Sequence, residues 1–172
     1  MTWEDLYVTY SDRIYNYIYL MVGNKEVALD LTQDTFVRVK DSLKRFRGDS
    51  NYYTWLISIS RNIIYDYWRR KKKIQWLPLF SSKYEVNFET PEEIYEKSEG
   101  NQELYRAIKK LKLTYQEVLI LRFAQELTTE ETATALGWSI SKVKSTTQRA
   151  KKALKIEIEL YIKEGECSEE RR

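Results

Sequence analysis

The stretch SISKVKSTTQRAKKALK, Ser139 to Lys155, carries six cations and no acid, and it follows directly on Leu136-Gly137-Trp138. That layout predicts a helix-turn-helix whose second helix lies on DNA. Ala133 and Gly137 stand four residues apart, where the motif needs a small residue for close helix approach and a glycine for the turn. Leu136, Ile140 and Val143 are the expected apolar contacts between the two helices. Thr128 and Glu131 have capping-box spacing and mark the start of the first helix, while Ser139 is placed to cap the second. A solvated basic helix with no ligand would show the same charge run, so the rest of the chain has to decide.

Charge is segregated along the sequence. Between Ser50 and Lys73, six cations (Arg61, Arg69, Arg70, Lys71, Lys72, Lys73) face one acid, Asp66. From Ile74 to Glu103 the sign reverses, with Glu85, Glu89, Glu92, Glu93, Glu96, Glu99 and Glu103 against Lys83 and Lys97. Two basic segments flanking an acidic one imply two nucleic-acid contacts joined by a linker that avoids duplex DNA.

Composition restricts the alternatives. A chain of 172 residues holds one domain or two small ones, and five glycines and two prolines favour helices over a turn-rich β fold. The absence of histidine and the single Cys167 exclude internal disulfides, Cys/His zinc sites and His-dependent triads. Met1-Thr2-Trp3-Glu4-Asp5 opens without the basic and apolar parts of a signal peptide, and no apolar run is long enough to span a bilayer. The expectation is a cytoplasmic protein with no cofactor, no metal and no membrane insertion.

Helical periodicity runs through nearly the whole chain. Leu6, Tyr10, Ile14, Tyr17, Ile18 and Met21 recur at helical spacing up to Gly23-Asn24, and Val27, Ala28, Leu31, Phe36, Val39 and Leu43 continue in a second helix as far as Arg47-Gly48-Asp49-Ser50. A third helix, about Tyr52 to Lys73, is expected to bury Leu56, Ile59, Ile63 and Tyr67. Thr90-Pro91-Glu92-Glu93 restarts a helix, Leu104, Ile108 and Leu111 open a second core, and Thr114 with Glu117 has the spacing to cap a helix from Tyr115 to about Glu126. The expected fold is therefore all-α: two small helical domains at 1–73 and 104–163, the second containing the helix-turn-helix, with an acidic linker at 74–103 and a tail at 164–172.

Two outward faces carry distinct chemistry. Arg61, Tyr65, Trp68, Arg69 and Lys72 form one stripe of cations interleaved with aromatics on the third helix. Cations neutralise phosphate and flat rings stack on unpaired bases, which suits melted DNA. On the second helix Asp30, Gln33, Asp34, Arg38 and Asp41 form a polar band whose acids suit a protein partner better than phosphate.

These residues resemble a known family. Asp30-Leu31-Thr32-Gln33-Asp34-Thr35-Phe36, Phe46-Arg47-Gly48, and Thr54-Trp55-Leu56 through Arg61-Asn62 to Arg69-Arg70 resemble the second conserved region of bacterial RNA polymerase sigma factors of the extracytoplasmic-function group. Tyr115 through Phe123, with Val143-Lys144-Ser145 and Arg149-Ala150, resembles the fourth. The resemblance implies that Asp30, Leu31, Gln33, Asp34 and Phe36 bind core RNA polymerase. It assigns the promoter's minus-ten element to Arg47, Asp49, Ser50, Tyr53, Arg61, Asn62, Tyr65, Trp68 and Arg69, and the minus-thirty-five element to Ser141, Lys144, Ser145, Gln148, Arg149 and Lys152. Promoter DNA, core polymerase and an anti-sigma factor are the implied partners.

Thr132 and Thr146 depart from the aliphatic residues usual at their positions, and Thr146-Thr147-Gln148 replaces bulkier or basic residues common in the recognition helix. Two rival readings compete. A stand-alone helix-turn-helix regulator needs a dimer interface, and no heptad segment supplies one. A metal nuclease using Asp30 and Asp34 lacks a third ligand near that helical pair.

Overall fold

The computed structural model describes residues 1–75 and 99–169. Every regular element among them is a helix, and they fall into two compact units.

The first unit contains α1 (Trp3–Val22), α2 (Lys25–Ser42), a 3-10 turn (Leu43–Arg45) and α3 (Tyr52–Gln75). Thr2 and Asp5 close a capping box at the start of α1, the Thr2 N–H donating to Asp5 Oδ2 at 2.8 Å and the Asp5 N–H to Thr2 Oγ1 at 3.2 Å. Gly23 ends the helix in the left-handed region at φ 72°, where a side chain would be strained. Asn24 caps α2, accepting the Val27 N–H at 2.9 Å. Leu6, Ile14, Tyr17, Ile18 and Met21 of α1 pack with Ala28, Leu31, Phe36 and Val39 of α2 in the buried core, as periodicity predicts. The Trp3 indole N–H donates to the Phe36 carbonyl at 2.8 Å, pinning the start of α1 to α2.

α3 turns a different side inward from the one its sequence suggests. Its buried residues are Tyr53, Thr54, Leu56, Ile57, Ser60 and Ile64, so Leu56 belongs to the core while Ile59, Ile63 and Tyr67 are only half-buried. Apolar residues lie on two adjacent stripes of this helix, and periodicity alone does not rank them. Ser60 is tolerated inside because its hydroxyl donates to the Leu56 carbonyl at 2.8 Å.

The second unit contains α4 (Glu99–Lys110), α5 (Leu113–Leu119), a π turn (Ile120–Ala124), α6 (Thr129–Leu136) as far as Ala133, and α7 (Ile140–Glu169). Leu111, Leu119 and Ala150 are buried together, and Ile108, Tyr115, Ala153 and Leu154 pack against them. Leu104, expected to open this core, is exposed, and Tyr105 and Ala107 are buried instead. The expected cap at Thr114 and Glu117 does not form: α5 starts at Leu113 and Glu117 is fully buried. The helix start is tied down by Gln116, whose amide donates to the carbonyls of Lys109 at 3.1 Å and Leu111 at 2.7 Å. α7 runs to Glu169, through most of the segment read as a tail. The cap expected at Thr90, Pro91 and Glu93 and most of the acidic linker lie outside the described residues.

Candidate nucleic-acid interface

The helix-turn-helix forms as its local chemistry dictates. The Thr128 N–H donates to Glu131 Oε2 at 2.7 Å and the Glu131 N–H to Thr128 Oγ1 at 3.1 Å, the expected capping box. Gly137 makes the turn at φ 64°, with its N–H on the Thr134 carbonyl and that of Trp138 on the Ala133 carbonyl, at 3.2 and 2.9 Å. The Ser139 hydroxyl accepts the Lys142 N–H at 3.2 Å and starts α7. Ala133, Leu136 and Val143 are buried, but Ile140 is exposed, so it does not join the two helices. Thr132 and Thr146 are buried where aliphatic residues are usual. Upstream, Arg122 donates to the Leu127 carbonyl and closes the loop after the π turn.

On α7, Ser141, Lys144, Gln148, Arg149 and Lys152 are exposed and Ser145 is half-buried. All six lie on the side away from buried Val143, Thr146 and Ala150. Two further cations, absent from the sequence-based set, are held by rings. Lys142 Nζ lies 4.0 Å from the Trp138 ring centroid, and Lys151 Nζ 4.7 Å from that of Phe123. The first pair has i, i+4 spacing and was open to detection; the second joins residues far apart in sequence and leaves no local signal.

In the first unit, the loop before α3 is built on Phe46, whose ring stacks on Tyr52 at 4.6 Å and meets Trp55 at 4.7 Å. Gly48 turns the loop at φ 77°, and Asn51 caps α3 by accepting the Thr54 N–H at 2.7 Å. Arg47 and Asp49 are exposed and Ser50 is half-buried. Tyr53 is the exception among the assigned minus-ten residues: it is 7% exposed, stacked on Tyr10 and covered by Arg13. Its ring faces α1 and is not available to a base.

The cation and aromatic stripe is present on α3. The Arg61 guanidinium lies 4.6 Å from the Tyr65 centroid, and Tyr65 meets Trp68 edge to face at 5.3 Å. Arg69 pairs with Asp66 at 2.5 Å on the exposed side, and Asn62 is exposed. Tyr65 and Trp68 are half-buried.

Asp30, Gln33 and Asp34 are exposed on α2. Leu31 and Phe36 are not, at 3% and 1% exposure. They hold the helix to the core, so, against the expectation for the motif, neither lies on its outer face. An open groove separates the outer sides of α2 and α3, with Trp55, Ile59 and Ile63 among its apolar lining, Asp34 and Arg38 on one rim and Asn62 and Arg69 on the other.

Comparison with known proteins decides the family. Residues 6–74 match the Sigma-70 region 2 family model and residues 101–154 the Sigma-70, region 4 model. The RNA polymerase sigma factor YlaC of Bacillus subtilis is 39% identical over 154 residues, 88% of this chain and 89% of the relative. The ECF RNA polymerase sigma factor SigX of the same organism is 34% identical over 168 residues, 95% of this chain and 87% of the relative. The chain belongs to the ECF RNA polymerase sigma factors. As a sigma factor it binds core RNA polymerase and directs promoter-specific initiation.

The fold agrees. The sigma factor RpoE of Bartonella quintana, solved in complex with the anti-sigma factor NepR, gives a TM-score of 0.72 at 21% identity, covering 91% of this chain and 96% of its own. CnrH, solved with the cytosolic domain of CnrY, gives 0.67 at 19% identity, covering 92% and 88%. At these identities the likeness is one of fold. Among the described residues, no helix of the sigma factor is long and apolar enough to cross a membrane.

Proposed function

We propose that this sigma factor docks on core polymerase through Asp30, Gln33 and Asp34 of α2. In this reading Asn62 and the Arg61, Tyr65, Trp68 and Arg69 stripe of α3, with Arg47, Asp49 and Ser50 of the preceding loop, hold the opened minus-ten strand. Ser141, Lys144, Ser145, Gln148, Arg149 and Lys152 of α7 read the minus-thirty-five element. One observation carries the reading: exposed acids are on α2, cations interleaved with half-buried rings on α3, and a basic face without acids from Ser139 to Lys155 opposite the buried face of α7. Acids repel phosphate, cations attract it, and rings stack on bases only once strands part.

The sigma factor contributes no catalysis of its own, works in the cytoplasm, and supplies start-site choice to a polymerase that holds the active site. Its control falls to an anti-sigma factor of the kind that accompanies RpoE of Bartonella quintana in its solved complex, in response to stress or envelope signals. Each basic surface is short, and linked modules gain avidity only when both engage together. Binding and run-off transcription with and without core polymerase test this. The isolated chain is expected to prefer promoter over random duplex only slightly at physiological salt, with specificity appearing when core is added. Nanomolar, sequence-specific binding by the isolated chain, with no effect on start sites, would support the stand-alone regulator.

A further inference from the structure

The two ring-held lysines of α7 stand in a particular relation to its reading face. Lys142 and Lys151 are nine residues apart, which on an α-helix is two and a half turns, so they project from opposite sides. Val143, Thr146 and Ala150 occupy the buried side between them, and Ser141, Lys144, Ser145, Gln148, Arg149 and Lys152 the opposite, outward side. Each ring-held lysine therefore sits about a quarter turn from the middle of the reading face, one on each border. A helix with its side chains is about 10–12 Å across and the major groove about 12 Å wide. With the reading face on the base edges, groups at the two borders meet the two sugar-phosphate walls.

A lysine reaching for phosphate gives up the freedom of a four-carbon stem. A ring under the ammonium restrains that stem beforehand and leaves N–H donors on the far side. The main chain at Trp138 is held by its N–H donating to the Ala133 carbonyl at 2.9 Å. Phe123 is 52% exposed, a cost the protein accepts beside Lys151.

We propose that Lys142 and Lys151 grip phosphates on opposite strands of the groove read by α7, with Trp138 and Phe123 as their positioning residues. The inference rests on the reading that α7 lies on the upstream element, and adds to it which cations carry affinity without sequence information.

The test uses holoenzyme reconstituted from core polymerase and the full chain, bound over a salt series to duplexes with randomised upstream elements, together with phosphate-ethylation interference. Lys142→Met and Lys151→Met are each expected to lower the salt exponent by about 0.9 and to leave the ranking of upstream sequences unchanged. Each should abolish interference on one strand, a different strand for each lysine. Trp138→Leu should weaken binding about threefold in the parent and have no effect on top of Lys142→Met, with Phe123→Leu and Lys151→Met related in the same way. Equal losses in both backgrounds, or loss of interference on the same strand for both lysines, overturns the proposal. If the unsubstituted holoenzyme shows neither upstream sequence preference nor upstream interference, the placement of α7 itself is wrong and the inference goes with it.

Discussion

The Arg13 guanidinium lies over the ring of Tyr53, 3.8 Å from its centroid. Tyr10 stacks on the same ring at 5.7 Å, so the first turn of α3 is anchored to α1 immediately after the loop that carries Arg47, Asp49 and Ser50. Tyr53 fixes the C-terminal end of that loop, and its contribution lies in packing.

That assignment separates two substitutions. Tyr53→Ala is expected to destabilise the first unit by about 3 kcal/mol, whereas Tyr53→Phe should keep both fold and promoter opening. Burial pushes the Tyr53 phenol up to about 12, partly opposed by Arg13. Between its ordinary value of 10.0 and about 12 the folded chain keeps a proton that the unfolded chain has lost, so stability falls as pH rises through that window. Urea unfolding at pH 9 and 11 should show a smaller drop for Tyr53→Phe than for the parent; equal drops would contradict the account.

Reversing charge on α2 tests docking. Any helical pairing of Asp34 with Arg38 is worth only about 0.3 kcal/mol, less than a factor of two. Asp34→Arg is therefore expected to reduce core affinity at least about tenfold with an unchanged melting curve. Unaltered core affinity would remove Asp34 from the interface.

Strand opening should depend on exposed groups of the first unit. Unstacking a base costs a few kcal/mol that contacts to the opened strand must offset. Asn62→Ala and Arg47→Ala should lower permanganate reactivity of minus-ten thymines more than they lower closed-complex formation. Normal reactivity in both variants would count against the stripe and its loop.

Within α7, base reading and phosphate holding should separate. Arg149→Ala is expected to relax preference at one upstream position by about 1–3 kcal/mol. Lys155→Ala, at the far end of the basic run and paired with Glu159 at 3.8 Å, should weaken all sequences alike. A randomised upstream library selected identically by Arg149→Ala and the parent would refute the first expectation.

Lys109 offers a pH effect of opposite sign. Burial pulls its ammonium down from 10.5 to about 8. Between those values the unfolded chain binds a proton that the folded chain lacks, so this residue makes stability rise with pH there. Lys109→Met, which keeps the packed stem, should raise the unfolding midpoint at pH 7 and lose that advantage by pH 10.5. A midpoint difference independent of pH would rule out the charge as its cause.

Much of this was legible in sequence because it is local. Gly23, Gly137, Ser139 and the Thr128 and Glu131 pair act on backbone groups within a few residues, and their spacing fixes where helices stop and start. Where two residue sets satisfy the same local rule, sequence misleads. Ile59 and Ile63 match helical periodicity as well as Ile57 and Ile64 do, yet only the latter pair is buried. Thr114 and Glu117 imitate a cap, but Glu117 is fully buried in the second unit. Leu31 and Phe36 sit inside the motif that carries the exposed acids Asp30 and Asp34, and a motif does not say which of its members face inward. Phe123 and Lys151 meet only after the second unit has closed.

The groove between α2 and α3 has a genetic consequence. In the proposed reading Asp34 on one rim docks polymerase and Asn62 and Arg69 on the other hold the opened strand, and the lining between them includes Ile59 and Ile63. A selection for weaker polymerase docking and one for slower opening should therefore recover overlapping alleles at those two isoleucines, and a revertant of one defect should shift the other. On the same reading, alleles on the outward face of α7 should carry no such burden, leaving upstream preference free to drift while docking and melting change together.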